Sequence, residues 1–593
     1  MTATVTDTYL LLRAFCDELA RCGVTDACTS PGSRSTPIVL SLARERRLRS
    51  WSHVDERVSG FFALGLAKQT GRPVAITVTS GTAAAELAPA VIEAAEARVP
   101  LIVLTSDRPP ELRDVGAGQT IDQLKLYGGA AKWFTEVGVV GEATPAALRW
   151  MRTLACRAVW TAQDGRPGVV HLNMPLREPL VLSEPLPQED PLPGRPDGRP
   201  WVARGRRIAD ASLDGIEPLP HGRGVIVAGQ TGGGRAIGLA IASAAEAIGY
   251  VLLADPLSQA RRGPNAVAHY DALLRDAGFL SGLDAPQAVL RIGDLPTSKP
   301  LRGWLAGLDP KIPQIALDPH HAWHDPDAVV STRLERDLDE ALPAFARDHS
   351  GIGDATWVER WRVADGVAGR AIAATIGSGA KRLVRAEAVA DGDATLSEPL
   401  VAIEAAAALD AGATLVVAAS MPIRDVETFL PARDDGPRVL SNRGANGIDG
   451  TVATALGAAA AGDGPVVLLI GDVTLAYDLG ALLSARRLQL DLTIVLIDND
   501  GGGIFHFLPV ATQSDHFEHH IATPHGLDFA VAAQLYGARH VPVATAAELR
   551  AELARATRPG AGVTIVQATT DRDENVLLHR HVWAAVAEAL AAK

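Results

Sequence analysis

Cysteine is scarce in this sequence, and the spacing of the few cysteines excludes two kinds of cross-link. Only four of the 593 residues are cysteines, at positions 16, 22, 28 and 156, and none forms a Cys-x-x-Cys pair. Such a set argues against a disulfide framework and against a structural zinc site. We therefore expect small, buried thiols in a reducing compartment.

Positive charge and long apolar runs are also in short supply. Lysine and arginine number 56 against 69 acidic residues, which gives a formal net charge of −13. This balance argues against general nucleic-acid binding and against adhesion to an anionic membrane surface. No stretch approaches the roughly 18 apolar residues of a membrane span. Residues 1–7 lack the basic segment and apolar core of a secretory signal, so we expect a cytoplasmic protein without membrane insertion.

The sequence does contain short apolar runs that alternate with helix-forming stretches such as Thr82–Arg98. Runs that are apolar throughout suit parallel strands covered by helices on both faces. At roughly 150 residues per domain, the length allows three large domains. We predict an α/β fold of three doubly wound parallel-sheet domains. The predicted strands are Val74–Val78, Leu101–Leu104, Gly168–Leu172, Val225–Ala228, Val251–Ala254, Val289–Ile292, Gln314–Leu317, Thr414–Ala418, Val466–Ile470, Thr493–Ile497 and Val563–Val566.

Changes in composition predict the domain limits. A proline-rich stretch at 185–200 (PLPQEDPLPGRPDGRP) is typical of a linker, and a charged, alanine-rich stretch from about 350 to 393 indicates a connector. The expected organisation is an N-terminal domain at 1–184, a linker at 185–220, a central α/β domain at 221–350, a connector at 351–393 and a C-terminal domain at 394–593.

Two strand ends in the C-terminal region carry oxygen ligands. Gly471 and Asp472 follow one predicted strand, and Asn499 follows the next, 27 residues after Asp472, with Gly501 two residues on. The carboxyl ends of parallel strands share one crevice, where such sheets bind ligands. A carboxylate, an amide oxygen and a backbone carbonyl suit Mg²⁺. Residue types alone fit ordinary turns equally well.

The Gly-Asp and Asn spacing resembles the signature of thiamine-diphosphate-dependent enzymes. Val473 and Asp498 depart from the usual pattern, whereas the two ligand positions match it. Such enzymes also need a carboxyl group on the aminopyrimidine ring of the cofactor. Glu56, in the motif His53–Arg57 before an apolar helix, fits this role, and adjacent apolar surface should raise its pKa. Taken alone, Glu56 could simply be an acid at a helix start.

Four longer motifs resemble one family, the 2-succinyl-5-enolpyruvyl-6-hydroxy-3-cyclohexene-1-carboxylate synthases of menaquinone biosynthesis. They are Ser30–Pro37 (SPGSRSTP), Thr105–Leu112 (TSDRPPEL), Ser441–Gly450 (SNRGANGIDG) and Gly501–Phe505 (GGGIF). The resemblance covers the two outer domains and thins in the central one. It implies a transferase that decarboxylates 2-oxoglutarate and adds the succinyl-semialdehyde carbanion to isochorismate, with thiamine diphosphate and Mg²⁺, or Mn²⁺, as cofactors.

The resemblance also implies roles for individual residues and an assembly. The N-terminal domain would bind the pyrimidine ring and the C-terminal domain the diphosphate and metal, in a homodimer at minimum and a homotetramer as the fuller expectation. Gly118 and Pro300 depart from the family pattern beside two of the substrate positions. The implied cofactor contacts are Glu56, Ser80, Gly81, Ser420, Ile448, Gly471, Asp472, Asn499, Gly501, Ile504 and Phe505, with Asp472, Asn499 and Gly501 on the metal. The implied substrate contacts are Ser33, Arg34, Arg108, Gln119, Lys299, Arg424, Arg443, Phe505 and Leu508, and the catalytic set is Glu56, Ser33, Arg34, Gln119, Arg424 and Arg443.

The arginines in this set have a physical rationale of their own. Arg34, Arg108, Arg424 and Arg443 are expected in loops at strand ends, beside Gly, Ser or Pro. A guanidinium binds a carboxylate through two parallel hydrogen bonds, which lysine cannot do. The two substrates together carry four carboxylates. Each arginine alone could equally form a surface ion pair, which contributes little.

Two further motifs are interpreted as structural. The glycine-rich run 229–234 lacks the Lys-Ser/Thr of a phosphate-binding loop and is expected to enter a helix. The histidines at 516, 519, 520 and 525, and those at 320, 321 and 324, lack zinc-type spacing and are expected in solvated loops. Two other functions stay open: another thiamine-diphosphate-dependent decarboxylase or carboligase, such as an acetohydroxyacid-synthase-like enzyme, and a non-enzymatic binding protein on the same scaffold.

Overall fold

The computed structural model describes residues 4–139, 141–188, 190–205, 218–377 and 396–592. Its chain divides into two compact units. The first unit comprises residues 1–207, 442–462 and 478–490, and the second comprises residues 208–441, 463–477 and 491–593. None of the helices in the described residues combines the length and apolar character that crossing a bilayer requires.

The first unit is built on a six-stranded sheet in the order β2-β1-β3-β4-β6-β5, with every pairing parallel. Its apolar strands are buried on both faces, as parallel sheets require. The strands are β1 (Asp26–Thr29), β2 (Arg49–Ser52), β3 (Val74–Val78), β4 (Leu101–Asp107), β5 (Ala131–Glu136) and β6 (Val169–Pro175). The helices that precede β6 in the chain are α1 (Val5–Arg21), α2 (Thr36–Arg44), α3 (Glu56–Thr70), α4 (Thr82–Ala85), α5 (Ala88–Glu96) and α6 (Pro145–Gln163).

The second unit contains two parallel sheets, ordered β11-β10-β9-β7-β8 and β13-β12-β14-β15-β17-β16. The central sheet has β7 (Gly224–Ala228), β8 (Val251–Ala254), β9 (Ala288–Ile292), β10 (Gln314–Leu317) and β11 (Thr332–Leu334). The C-terminal sheet has β12 (Thr414–Val417), β13 (Arg438–Leu440), β14 (Val466–Gly471), β15 (Leu492–Asp498), β16 (Arg539–Val543) and β17 (Val563–Thr569). The predicted fold class, doubly wound parallel α/β, is confirmed.

The remaining helices follow in chain order. They are α7 (Gly234–Ile248), α8 (Tyr270–Leu273), α9 (Ala277–Gly282), α10 (Lys299–Ala306), α11 (Leu338–Asp348), α12 (Ala355–Thr375), α13 (Glu398–Ala407), α14 (Met421–Phe429), α15 (Thr451–Ala460), α16 (Asp472–Tyr477), α17 (Leu482–Leu488), α18 (Phe529–Tyr536), α19 (Ala546–Ala556) and α20 (Arg572–Ala591). Helices α15 and α17 belong to the first unit. The glycine-rich run at 229–234 leads into α7, as predicted.

Two expectations about helices differ from the structure. The stretch Thr82–Arg98 is two helices, α4 and α5, because Pro89 near the start of α5 has no N–H to continue the hydrogen-bond ladder from α4. The segment 351–393, expected as a connector, contains the long helix α12, whose Trp357 and Trp361 are buried in the core beside the central sheet. Residues 378–395 of that segment lie outside the described residues.

Other expectations agree with the structure. The described residues of the predicted linker at 185–220 contain neither helix nor strand, and all four cysteines are buried and unbridged. The exact domain limits stay predictions.

Close packing of α3 against α15 organises one side of the first unit. A methyl group added at Gly65 would lie 2.0 Å from the carbonyl oxygen of Thr454, and one added at Gly457 would lie 2.1 Å from that of Phe62. Only glycine therefore lets the two backbones approach this closely. The packing fixes both the helix that begins at Glu56 and the helix that follows the motif Ser441–Gly450.

Candidate active site

The carboxyl ends of β14 and β15 bring Asp472 and Asn499 together, as the sequence predicted. The two strands are parallel neighbours, with Gly471 paired to Ile497, so both chains leave the sheet at one edge. Asp472 begins α16 directly after β14, and its carboxylate accepts the backbone N–H groups of Asn499, at 3.1 Å, and Gly501, at 2.9 Å. The carboxylate thereby holds the loop that carries the second candidate ligand.

In the side-chain amide of Asn499, the nitrogen forms a hydrogen bond and the oxygen forms none with a described residue. Its Nδ2 donates to Oε1 of Glu398 at 2.8 Å. Its Oδ1 is buried and accepts no hydrogen bond from any described residue. A buried amide oxygen without a donor is costly unless a ligand uses it. This free oxygen beside the Asp472 carboxylate fits a hard cation such as Mg²⁺.

Gly501 completes the loop with a backbone shape that side chains rarely adopt. Its φ is +144°, and an added Cβ would lie 2.5 Å from the carbonyl oxygen of Ala522. The loop then continues into a short 3-10 turn, Gly503–Phe507. Ile504, Phe505 and Leu508 lie in and just after this turn, and Phe505 and Leu508 are more than one-third exposed. An apolar surface next to the candidate metal ligands is consistent with their predicted role as a wall.

The expectation for His525 is wrong. Its side chain is only 15% exposed, and its Nε2 lies 3.2 Å from Oδ2 of Asp472. The loop reaches this position because Asp500 accepts the backbone N–H groups of His525 and Gly526. His516, His519 and His520 are exposed, as expected. The position of His525 beside Asp472 could not be predicted from sequence periodicity or spacing, because it depends on how the loop between them folds.

Glu398 is a second residue that the sequence analysis missed. It is the first residue of α13, yet it is only 1% exposed. Burial and the neighbouring Asp425 raise the pKa of Glu398 well above its ordinary value. Asp425 itself pairs with Nε2 of His579 at 3.0 Å. An acid at the start of a helix that is apolar apart from Glu404 was the available signal.

In the first unit, the ends of β3 and β4 bring together two predicted cofactor contacts, Ser80 and Gly81, and two predicted substrate contacts, Arg108 and Gln119. The hydroxyl of Ser80 donates to the carbonyl oxygen of Gln119 at 3.0 Å, and Arg108 donates to the Ser80 hydroxyl. The backbone N–H of Gly81 donates to Oε1 of Gln123 at 2.9 Å. Ser80, Gly81, Arg108 and Gln119 thus form one hydrogen-bonded group at the edge where ligands of such sheets bind.

Arg34 joins this group from the loop after β1. Its guanidinium donates to the carbonyl oxygen of Leu176 at 2.9 Å and to Glu178 at 3.2 Å, while its Nε is buried without a partner among the described residues. Burial and the nearby Arg34 lower the pKa of Arg108. Ser33, next to Arg34, is exposed. A buried guanidinium with an unpartnered donor, such as that of Arg34, is suited to a carboxylate.

Glu56 lies at the start of α3, where Asp55 caps the helix. Burial raises the pKa of the Glu56 carboxyl above its ordinary value, and the nearby carboxylates of Asp55 and Glu86 add to this. The direction agrees with the sequence prediction. A carboxyl group whose pKa is raised holds its proton to a higher pH than an ordinary glutamate does, which suits a proton-handling role.

The loop that carries Arg443 and Ile448 is anchored within the first unit. Glu93 of α5 accepts the backbone N–H groups of Gly444, at 3.0 Å, and Ala445, at 2.7 Å. Buried Lys68 lies 3.1 Å from the same Glu93 carboxylate. Both candidate residues are partly exposed, in the loop expected from the sequence.

Asp478 holds the helix that follows this loop. Its side chain accepts the backbone N–H of Ala453, in the first turn of α15, at 2.9 Å. Burial raises the pKa of Asp478 to about 7. The protonated carboxyl is therefore the form that the fold favours.

Arg424 is not in a loop, contrary to the expectation. It lies in the first turn of α14, because Pro422 favours a helix start directly after Ser420, where φ is +75°. Its guanidinium donates back to the carbonyl oxygen of Ser420. Lys299 is exposed at the start of α10, beside the central sheet, and its predicted role stays a prediction.

The three parts of the chain match three known domain models. Residues 11–126 match the model described as "Thiamine pyrophosphate enzyme, N-terminal TPP binding domain", and residues 425–568 match the corresponding C-terminal TPP binding domain. Residues 196–384 match the "Middle domain of thiamine pyrophosphate". The chain is therefore a thiamine-diphosphate-dependent enzyme.

Curated relatives narrow the class to one family. The chain is 42% identical to a 2-succinyl-5-enolpyruvyl-6-hydroxy-3-cyclohexene-1-carboxylate synthase of Chloroflexus aurantiacus, with 98% of this chain and 96% of the relative covered. It is 43% and 42% identical to synthases of the same name from Geobacillus kaustophilus and Myxococcus xanthus, with 98% of both chains covered in each case. The chain belongs to this synthase family, as its motifs predicted, and the acetohydroxyacid-synthase-like alternative is not favoured.

The raised pKa of Asp478 predicts how stability depends on pH. The folded protein binds a proton more tightly here than the unfolded chain does, so stability falls as the pH rises from about 4 to about 7. Asp478→Asn keeps an acceptor oxygen without a charge. Its melting temperature, relative to that of the unaltered protein, should rise by at least about 2 °C between pH 5 and pH 8 in thermal unfolding scans.

Asp410→Asn provides the control, because Asp410 is an exposed turn residue that accepts the backbone N–H of Gly412. Its difference from the unaltered protein should not change with pH. A difference for Asp478→Asn that stays flat or falls across this range would contradict the assignment.

Proposed function

We propose that this enzyme decarboxylates 2-oxoglutarate and adds the remaining four-carbon unit to isochorismate, a step of menaquinone biosynthesis. Its product would be 2-succinyl-5-enolpyruvyl-6-hydroxy-3-cyclohexene-1-carboxylate. The observation that carries the substrate assignment is the unpartnered buried donor on the guanidinium of Arg34, whose positive charge also acts on Arg108. An acidic protein with such arginines at its strand ends is equipped for small polycarboxylates.

The metal and diphosphate would be held at the edge of the C-terminal sheet. Asp472, the free Oδ1 of Asn499 and the backbone carbonyl of Gly501 are the proposed ligands of Mg²⁺, with Mn²⁺ as a substitute. Gly471 and Ser420 leave room for the cofactor at neighbouring strand ends, and Ile448, Ile504 and Phe505 would contact its rings. Bound thiamine diphosphate supplies the carbanion chemistry by which carbon dioxide is lost and the new carbon–carbon bond is made.

Glu56 would handle the proton that this chemistry requires. Its position at the start of α3, with a pKa above the ordinary range, lets it share a proton with the aminopyrimidine ring. This role needs only a hydrogen bond and a transferable proton, so charge neutralisation should affect turnover more than binding.

The remaining polar residues would orient the substrates. Arg34, Arg108, Arg424, Arg443 and Lys299 supply cationic donors for carboxylates. Ser33 and Gln119 supply neutral ones for hydroxyl and carbonyl oxygens, and Phe505 and Leu508 would exclude water from the reacting carbon.

We further propose a cytoplasmic homodimer at minimum, with a homotetramer as the fuller assembly. Glu56 of one copy and Asp472 of another would act on the same cofactor. A formal charge of −13 gives no general attraction for nucleic acid, so the expected partners are the two small anions.

The substrate pair is tested by following 2-oxoglutarate consumption with Mg²⁺ and thiamine diphosphate, with and without isochorismate. We expect consumption to accelerate when isochorismate is present, because the acceptor captures the carbanion. Pyruvate in place of 2-oxoglutarate should react poorly, since it lacks the second carboxylate. Consumption that is no faster with isochorismate would refute the carboligase assignment.

The role of Glu56 predicts a separation of binding from turnover. Glu56→Gln keeps a hydrogen-bonding side chain but cannot donate or accept the proton, so kcat should fall by about 100-fold or more. Thiamine diphosphate affinity, measured by calorimetry, should change little. Glu96→Gln is the matched control, because Glu96 is an exposed carboxylate of the same unit that pairs with Arg166, and it should retain full turnover. Full turnover in Glu56→Gln would contradict the proposed role.

A further inference from the structure

Glu398 is an unusual residue for the start of a helix. Acids in a first turn ordinarily lie at the surface, where they face the positive end of the helix dipole. Glu398 instead follows the N-cap Ser397 and is 1% exposed. Among the described residues it forms no direct ion pair with lysine, arginine or histidine, and the charge of His579, which pairs with Asp425, only partly offsets its burial.

Glu398 accepts one short hydrogen bond and one long one. Oε1 accepts from Nδ2 of Asn499 at 2.8 Å and, more weakly, from the hydroxyl of Thr570 at 3.4 Å. The adjacent buried acid, Asp425, has its own partner in His579 and does not compete for Asn499. A buried acid whose short contact is one amide group is positioned for that amide.

The chemistry of an amide makes this contact selective. A carboxyl oxygen that accepts a hydrogen bond can pair only with the NH₂ end of the asparagine side chain. With Nδ2 held by Glu398, the oxygen end is turned the other way, where Oδ1 is buried without a donor among the described residues. The backbone of Asn499 is fixed independently, because its N–H donates to Asp472.

We propose that Glu398 is a positioning residue, which holds the Asn499 amide in the orientation that presents Oδ1, rather than Nδ2, to the metal. The inference rests on the proposed metal site formed by Asp472, Asn499 and Gly501. A flipped amide would direct two N–H donors at the cation and remove one ligand. Groups that orient metal ligands typically account for 10- to 100-fold in metal affinity.

The test compares two substitutions that treat acceptor and charge differently. Glu398→Gln loses the charge but keeps an oxygen that can accept from Nδ2, whereas Glu398→Leu keeps similar volume and has no acceptor. Mg²⁺ affinity is measured by isothermal titration calorimetry on the full chain at a fixed concentration of thiamine diphosphate. We expect Glu398→Gln to bind Mg²⁺ nearly as well as the unaltered protein, and Glu398→Leu to bind at least about 10-fold more weakly.

Two controls separate this role from a structural one. Glu404→Gln alters another buried acid of the same helix, 1% exposed, and should leave Mg²⁺ affinity unchanged. The metal-free melting temperature of Glu398→Leu should stay close to that of the unaltered protein or rise, because burial of an unpaired acid is removed. Loss of affinity without loss of stability identifies positioning.

Other outcomes would overturn the inference. Equal weakening in Glu398→Gln and Glu398→Leu would mean that charge, not amide orientation, matters, and unchanged affinity in Glu398→Leu would mean that Asn499 needs no orienting group. The variant Asp472→Ala shows whether such a result refutes only the positioning role of Glu398 or also the proposed metal site. If Asp472→Ala abolishes Mg²⁺ binding while Glu398→Leu does not, only the positioning role is wrong; if Asp472→Ala binds normally, the metal site is wrong and the inference falls with it.

Discussion

The parallel pairing of β14 with β15 is the constraint on which the candidate metal site depends. Because neighbouring parallel strands end at one edge, residues that are 27 positions apart in the chain meet within hydrogen-bond distance. The carboxylate of Asp472 then spans the gap and holds the loop of Asn499 and Gly501. The same principle acts at the other sheet edge, where the loops after β3 and β4 join Ser80 to Arg108. A single rule of sheet architecture thus builds a candidate site at each of the two sheets.

The two candidate sites differ in their electrostatic character. The protein is acidic overall, so long-range attraction does not draw polycarboxylate substrates towards it. Under the proposed function, recognition would depend instead on a few local groups such as Arg108, whose pKa is lowered by burial and by the charge of Arg34. At the C-terminal sheet the candidate site offers acceptors instead of donors. The buried Oδ1 of Asn499, beside the Asp472 carboxylate, accepts no hydrogen bond from a described residue.

The sequence anticipated the features that follow from local pattern. Apolar runs located eleven of the seventeen strands in the described residues to within a few residues, because strands buried on both faces must be apolar throughout. The short strand β1 was not predicted, and neither were the edge strands β2, β5, β11, β13 and β16, which are only partly buried. Strand-end positions then identified Asp472 and Asn499. Glu398 was missed because its contact with Asn499 spans 101 residues and arises from tertiary packing. His525 was missed for a related reason, since only the folded loop reveals that it faces Asp472 and not solvent.

The most direct test is a crystal structure of the enzyme with thiamine diphosphate and Mg²⁺ bound. We expect one six-coordinate ion, about 2.1 Å from oxygens of Asp472, Asn499 and the Gly501 backbone, with the Asn499 amide nitrogen still hydrogen-bonded to Glu398. An ion bound elsewhere, or bound without the side-chain oxygen of Asn499, would refute the proposed metal site.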